Sequence, residues 1–283
     1  MQKIFLSFAD TSLKPTLERI KAQAFAMGVY DKVYAINENH LSDDFKIRYH
    51  EKLNKKVRGF GYWVWKPQII KQLLEKINYG DIINYCDAGC HLNQSGRDRL
   101  IEYFEIANNS DLGILCFQLN PPKIGILSDL PYTLDYPDFK WIKGDLLNYL
   151  KIPHDSLYLK TQTIGAGIIF LKKTLSTETF INEWLKVFDD DFSLVDDSES
   201  KLNNIDGFIE HRHDQAIFSM LCKKYNVSVE SAYEYWYPNF DGTLPNWDIL
   251  KLYPFHARRD KVEKSRNLFS SFFKKFNILK NLC

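Results

Sequence analysis

The chain opens on an unbroken apolar run. Lys3–Phe8 is followed by Ala9-Asp10-Thr11-Ser12, whose polar members cap helices, so the run reads as a buried strand feeding a helix. Over 13–27, apolar Leu17, Ile20, Ala24 and Met27 recur at helical spacing. Gly28 then stops the helix, because glycine takes the left-handed C-terminal conformation without penalty. Residues 32–37 read as a second strand. The resulting β-α-β unit implies a parallel sheet with a right-handed crossover. Its first turn carries no GxGxxG, so no dinucleotide fingerprint is present.

Further along, the polar stretch 41–56 predicts a helix. The segment Arg58-Gly59-Phe60-Gly61-Tyr62-Trp63-Val64-Trp65-Lys66-Pro67 is the densest in aromatic rings. A helix is expected over 68–77, with Pro67 suited to its first turn. Residues 81–85 predict a strand ending at Cys86-Asp87-Ala88-Gly89-Cys90. Residues 97–108 predict a helix and 112–118 a strand. The Pro-, Tyr- and Asp-rich region 119–160 suggests a loop and short helix over a site. A strand with glycines near its start follows at 162–171, a helix at 176–188, and an acidic, exposed loop at 189–206. A helix at 213–225, a short strand at 227–229 and an irregular aromatic region at 232–257 complete the pattern. There are no internal repeats. The chain therefore reads as one α/β domain over 1–257 and a tail over 258–283.

Composition changes this picture only locally. With 283 residues, 45% apolar and 26% charged, the chain suits one large globular domain. Aromatics at 15% are in excess; such rings fill cores and also stack on sugars and bases. A net charge of +1 offers no basic field for nucleic acid. Basic residues gather at the end, with eight Lys or Arg from Arg258 onward against Asp260 and Glu263. In that tail, Leu268, Phe269, Phe272, Phe273, Phe276 and Leu279 recur at helical spacing, as in an amphipathic helix lying on anionic lipid. The five cysteines, 86, 90, 116, 222 and 283, are odd in number and form no CxxC, which signals neither zinc nor a disulfide framework. The first apolar run is too short for a signal peptide, and no stretch reaches about 18 apolar residues. A cytoplasmic protein with reduced thiols is expected, peripheral to the inner face of the cytoplasmic membrane through its tail.

Four segments could carry chemistry. Asp87 follows a buried run and precedes Ala88-Gly89, where ligands bind beyond the carboxyl ends of strands; such an acid is also an ordinary turn residue. His211-Arg212-His213-Asp214-Gln215 packs polar groups at a helix start. The 59–67 segment joins rings to a lysine at a helix N-terminus. His256, with Arg258 and Arg259, could complete a metal site or hold a diphosphate.

Together, Phe8-Ala9-Asp10, the Gly61–Pro67 motif, Tyr85-Cys86-Asp87-Ala88-Gly89-Cys90 and His211-Arg212-His213-Asp214-Gln215 resemble a group of bacterial glycosyltransferase-like proteins from polysaccharide and lipooligosaccharide gene sets. The likeness covers roughly residues 3–225, and its Trp-Lys-Pro portion is the most specific. More distantly, the order of elements is similar to the glycogenin-like family-eight retaining transferases and the initiating mannosyltransferases of the fungal Golgi. In those families an Asp-x-Asp motif, an Asn-Ala-Gly-like segment and an Asp-Gln segment follow in order. Here Asp87-Ala88-Gly89, Gly165-Ala166-Gly167 and Asp214-Gln215 occupy these places, with Gly89 instead of the second acid and Gly165 instead of the asparagine.

The resemblance implies a GT-A-like fold: one Rossmann-like nucleotide-sugar domain with a mixed, mainly parallel sheet. It implies hexosyl transfer from a nucleotide-sugar, UDP favoured, to a saccharide or lipid-linked acceptor. On this reading Asp214, Gln215 and Asp87 are catalytic. Phe8, Ala9, Asp10, Tyr62, Trp65, Lys66, Asp87, Ala88, Gly89, Arg212 and Arg258 contact the donor. Trp63, Gln162, Gly165 and His213 contact the acceptor. Mn²⁺ or Mg²⁺ is expected on Asp87, with His256 as a further ligand. If no metal binds, Lys66, Arg212, Arg258 or Arg259 must supply the positive charge. The lone acid of Asp87-Ala88-Gly89 favours the alternative, a non-catalytic nucleotide- or carbohydrate-binding protein of the same fold.

Overall fold

The structure is a computed structural model that describes residues 1–121, 135–237 and 247–260. Its centre is a six-stranded sheet in the order β2-β1-β3-β6-β5-β7. These strands are β1 (Lys3–Phe8), β2 (Lys32–Ile36), β3 (Ile82–Cys86), β5 (Ile114–Gln118), β6 (Ile164–Lys172) and β7 (Ser228–Ser231). β1 pairs in parallel with β2 and with β3, and β5 pairs in parallel with β7. β6 is antiparallel to both of its neighbours. The α/β expectation, with a mixed and mainly parallel sheet, holds.

Alternation along the strands builds two cores. Ile4, Leu6 and Phe8 of β1 face a cluster that includes Ile69, Ile70, Trp184 and Phe218, on the helices Trp65–Leu74, Leu175–Asp190 and His213–Lys224. Phe5 faces the other way, toward Leu17, Ile20, Tyr103 and Phe104 on the helices Lys14–Met27 and Arg97–Asn109. Helices thus cover both faces, which is why β3 is buried throughout and β1 is buried from Ile4 onward, rather than alternating. Gly28 ends its helix as expected, at φ 61°, and its N–H donates to the Phe25 carbonyl.

Some local expectations need correction. The helix expected over 41–56 is confined to Asp43–Arg48. The apolar positions Leu41, Phe45, Tyr49 and Leu53 do reach the core, but the backbone leaves the helical conformation at Tyr49, at φ −109° and ψ 21°, and the chain continues in short turns. The helix expected at 68 begins at Trp65, and Pro67 stays in its first turn, where the missing N–H is no loss. Residues 258–260, assigned to the tail, lie against the domain, where the Asp260 N–H donates to the Gly89 carbonyl at 3.0 Å. A two-stranded ribbon of β4 (His91–Leu92) and β8 (Phe255–His256) leads into this contact. The tail helix expected over 261–283 lies outside the described residues. Cys86, Cys90, Cys116 and Cys222 are buried and free. Among the described residues no helix is long and apolar enough to cross a membrane.

Candidate active site

β1 hydrogen-bonds to β2 on one side and β3 on the other, so successive connections leave it in opposite directions and open a crevice at the strands' carboxyl ends. Phe8-Ala9-Asp10 and Asp87-Ala88-Gly89 stand there. Because β6 runs the other way, its first residues, Gly165-Ala166-Gly167, arrive at the same edge; the Asp87 N–H donates to the Gly167 carbonyl at 2.8 Å. The starts of the helices Trp65–Leu74 and His213–Lys224 close the sides. The result is a cleft of about 740 Å³.

A buried charge cluster lies in one wall. Lys66 Nζ donates to Asp214 Oδ2 at 2.7 Å and to the Ala166 carbonyl at 3.0 Å, and stands 3.5 Å from Asp87 Oδ1. Lys66 and Asp214 are each the second residue of a helix. Asp214 gains from its helix dipole, whereas Lys66 opposes its own and depends on the carboxylates. Burial works to lower the Lys66 pKa, but Asp214 and Asp87 outweigh it and raise the pKa overall. Burial lifts Asp214 to about 6 against the pull of Lys66. The pair is therefore ionised at neutral pH, and Asp214 takes up a proton in mild acid. The Tyr85 hydroxyl donates to the same Asp87 oxygen, Oδ1, at 2.6 Å. Burial, and then Asp87, push that hydroxyl's pKa well up, so it stays a donor.

The glycines of β6 make room for this cluster. A β-carbon at Gly167 would stand 3.1 Å from Asp87 Oδ2, and one at Gly165 would stand 2.6 Å from the Tyr235 hydroxyl. A β-carbon at Gly89 would meet Arg259 Cα at 3.3 Å. The strap 257–260 passes over Gly89 and is fastened by Arg19, which donates to the Ala88 and Cys90 carbonyls and pairs with Asp260 at 2.9 Å.

The aromatic wall has an unusual backbone. Gly59, Phe60, Gly61, Tyr62 and Trp63 all have positive φ, between 50° and 96°. Tyr62 N–H donates to the Arg58 carbonyl at 2.7 Å and Trp63 N–H to the Gly59 carbonyl at 3.4 Å. This is one turn of left-handed helix, costing about 1–2 kcal/mol for each non-glycine residue. It is held by Trp65, whose indole N–H donates to the Gly59 carbonyl and whose ring stacks on Phe8 at 4.1 Å, and by Trp63, which stacks on His213. His213 itself has φ 51°, and its Nδ1 bonds the Val195 carbonyl at 2.8 Å.

Of the residues expected at the site, Phe8, Ala9, Asp10, Trp63, Trp65 and Lys66 line the cleft. So do Asp87, Ala88, Gly89, Gly165, Arg212, His213, Asp214 and Gln215. Two of these have prior commitments. Asp10 caps the following turn through Ser12, and Arg212 pairs with Glu210 at 2.8 Å over the Trp141 ring.

Four expected residues lie elsewhere. Tyr62 is turned away by the left-handed backbone and donates to Asp197, leaving Phe60 and Trp63 on the cleft. Gln162 is tied to the 136–137 segment, accepting from the Tyr136 N–H at 2.7 Å. Arg258 lies over the Trp247 ring and reaches His256; the neighbouring Arg259 faces the cleft instead. His256 is buried against Trp247 and bonds the Leu250 carbonyl through Nε2. Sequence reasoning passed over Lys55, Lys56, Arg58, Phe60 and Tyr235, which line the cleft too. The basic residues beside the aromatic motif were a usable signal; Tyr235 lies in an irregular stretch that carried none.

The expected Mn²⁺ or Mg²⁺ does not fit these residues. His256 is committed to a carbonyl, Gly89 offers no ligand, and Asp214 is held by an ammonium. Among the described residues no three of His, Cys, Asp and Glu are grouped to hold a metal.

No protein-family model and no curated protein matches the sequence. Similar solved structures include a glycosyltransferase involved in glycosylation of the major capsid of PBCV-1, with TM-score 0.46, 10% identity, 98% of this chain covered and 100% of that one. Another is mouse xyloside xylosyltransferase 1 in its apo form, with TM-score 0.42, 11% identity, and coverage of 90% and 84%. A third is the galactosyltransferase LgtC with donor and acceptor sugar analogues, with TM-score 0.40, 12% identity, and coverage of 98% and 94%.

Proposed function

We propose that this protein is a glycosyltransferase of GT-A-like fold that moves a hexose from a nucleotide-sugar, UDP favoured, to a saccharide or lipid-linked acceptor. The observation that carries the reading is the buried Asp214–Lys66 pair meeting Asp87 at the strand ends, inside a cleft walled by rings and cations. The sequence motifs at those same positions support it.

In transfer, the bond from the anomeric carbon to the diphosphate breaks with its electrons going to the departing oxygen, a bond to the acceptor oxygen forms, and the acceptor's proton passes to the departing diphosphate. Positive charge develops on the sugar and negative charge on the leaving group. Asp214, ionised above about pH 6, is the acid assigned to the sugar side. Gln215 orients the sugar hydroxyls. Asp87 is fixed by Tyr85 and Lys66 so that its second oxygen is free to accept from the sugar. Phe60 and Trp63, partly exposed on the cleft, offer ring faces to the base or the acceptor. The acceptor and the setting rest on the resemblance: surface polysaccharide or lipooligosaccharide synthesis, with residues 261–283 toward an anionic membrane.

The test is a transfer and thermal-shift screen with UDP-, GDP- and CMP-sugars, in which ligand binding raises apparent stability by mass action. Asp87→Asn and Asp214→Asn should each lower turnover at least about 100-fold while melting within a few degrees of wild type. Full turnover in both variants, or no stabilisation by any nucleotide-sugar, overturns the reading.

A further inference from the structure

We propose that Arg259 does here what a divalent metal would otherwise do, so that the donor's diphosphate binds without one, while Lys66 already occupies the carboxylates a metal would need. The inference rests on the nucleotide-sugar reading of the site.

The first observation is the place of Lys66. An ammonium buried at 3% exposure already holds the two carboxylates nearest the cleft, at 2.7 Å and 3.5 Å, and offsets one of their two charges. Its remaining contact is the Ala166 carbonyl. A divalent ion drawn to Asp87 or Asp214 would meet this fixed positive charge at close range. Lys66 has nowhere to withdraw to, because its stem lies in a helix packed on the core.

The second observation is independent and concerns Gly89. A second acid at that position would need room that the backbone of Arg259 occupies, with Cα 3.3 Å and C 3.6 Å from a β-carbon there. The same segment brings a guanidinium to the cleft. Arg259 sits at φ 53°, in the left-handed region uncommon for a non-glycine residue, and no carboxylate among the described residues pairs with it. Arg19 ties the strap at Asp260 to the carbonyls of Ala88 and Cys90, on either side of Gly89. Gly89 brings no side chain to this edge, and a cation is fixed against it. Lys55 and Lys56, likewise without carboxylate partners among the described residues, add charge at the rim of the same cleft. A planar guanidinium donates to two phosphate oxygens at once, which suits a departing diphosphate.

The experiment is calorimetric binding of UDP, GDP and CDP to the full chain, in EDTA and again in Mn²⁺, with Mn²⁺ followed by electron paramagnetic resonance. The expected result is that one diphosphate binds with a Kd that agrees within about threefold between the two buffers, and that Mn²⁺ stays free until nucleotide chelates it in solution. Arg259→Ala should weaken that binding about tenfold, Mn²⁺ should not restore it, and Arg259→Lys should recover part of it. Binding that appears only with Mn²⁺ overturns the inference and leaves the transferase reading standing. Metal-independent binding that Arg259→Ala leaves intact overturns the assignment of Arg259. Absence of binding by all three nucleotides in both buffers removes the donor-site reading itself, and this inference falls with it.

Discussion

Trp63 lies across Gly59 so closely that a β-carbon on the glycine would stand 2.5 Å from the indole. The glycine is needed twice, because its φ is also 60°. Gly59→Ala should destabilise the protein by about 2–4 kcal/mol, from the left-handed backbone and the collision together. Gly80→Ala is the control. Its φ is 87° and nothing lies within 4 Å, so it carries only the conformational part. Thermal unfolding of the two variants checks this: Gly59→Ala should melt several degrees lower than Gly80→Ala, and equal melting contradicts the packing argument.

Tyr85→Phe removes the hydroxyl that holds Asp87 Oδ1 and leaves the ring in place. Stability should fall by about 1 kcal/mol. The turnover number should drop roughly tenfold with little change in donor KM, since the hydrogen bond positions a carboxylate rather than binding substrate. Steady-state kinetics beside a denaturation curve separate the two effects.

Asp214 fixes a pH dependence whose sign can be worked out. Its folded pKa, about 6, lies above the ordinary 3.8, so the folded state binds this proton more tightly than the unfolded state. The contribution to stability is present in full below about pH 4 and is lost as pH rises through about 6, a span worth on the order of 3 kcal/mol. Asp214→Asn removes that slope. Denaturant unfolding of both proteins from about pH 4 to about pH 7 should show the variant gaining on wild type with rising pH. Parallel curves would contradict the shift. Turnover by the wild type should fall as pH drops below about 6, where the carboxylate is lost.

Arg19→Met keeps the stem of the side chain but releases the strap from the Asp87-Ala88-Gly89 loop. The lost charge-assisted hydrogen bonds are worth about 1.5–3 kcal/mol. Donor KM should rise about tenfold, as Arg259 loses its fixed position. An unchanged KM with lowered stability would make the strap purely structural.

Much of the frame could be read from the sequence because it follows from local pattern. The runs at β1, β3 and β6, the stripe Leu17–Ile20–Ala24–Met27 and the stop at Gly28 each carry their own periodicity. The region 41–56 misled because its stripe Leu41, Phe45, Tyr49 and Leu53 reaches the core without an unbroken helix, the backbone turning at Tyr49. Asp87, Asp214 and the Trp-Lys-Pro motif were legible as candidates, and the cleft gathers them. What joins them was not legible. Lys66 and Asp214 are 148 residues apart, and only the packing of two helix starts against β6 makes them partners. The displacement of Tyr62 by Phe60 and Trp63 depends on the hand of one turn, which residue type alone does not specify. The exchange of Arg258 for Arg259 likewise depends on the positive φ at Arg259.

The strap has a consequence for the order in which the protein is made. Residues 8–10 leave the ribosome first and wait for Asp87, then Gly167, then Asp214; Arg259 arrives after all of them. The last cation of the cleft is thus also the last of its described residues to be synthesised, so the strap over Gly89 can close only when the domain is otherwise complete.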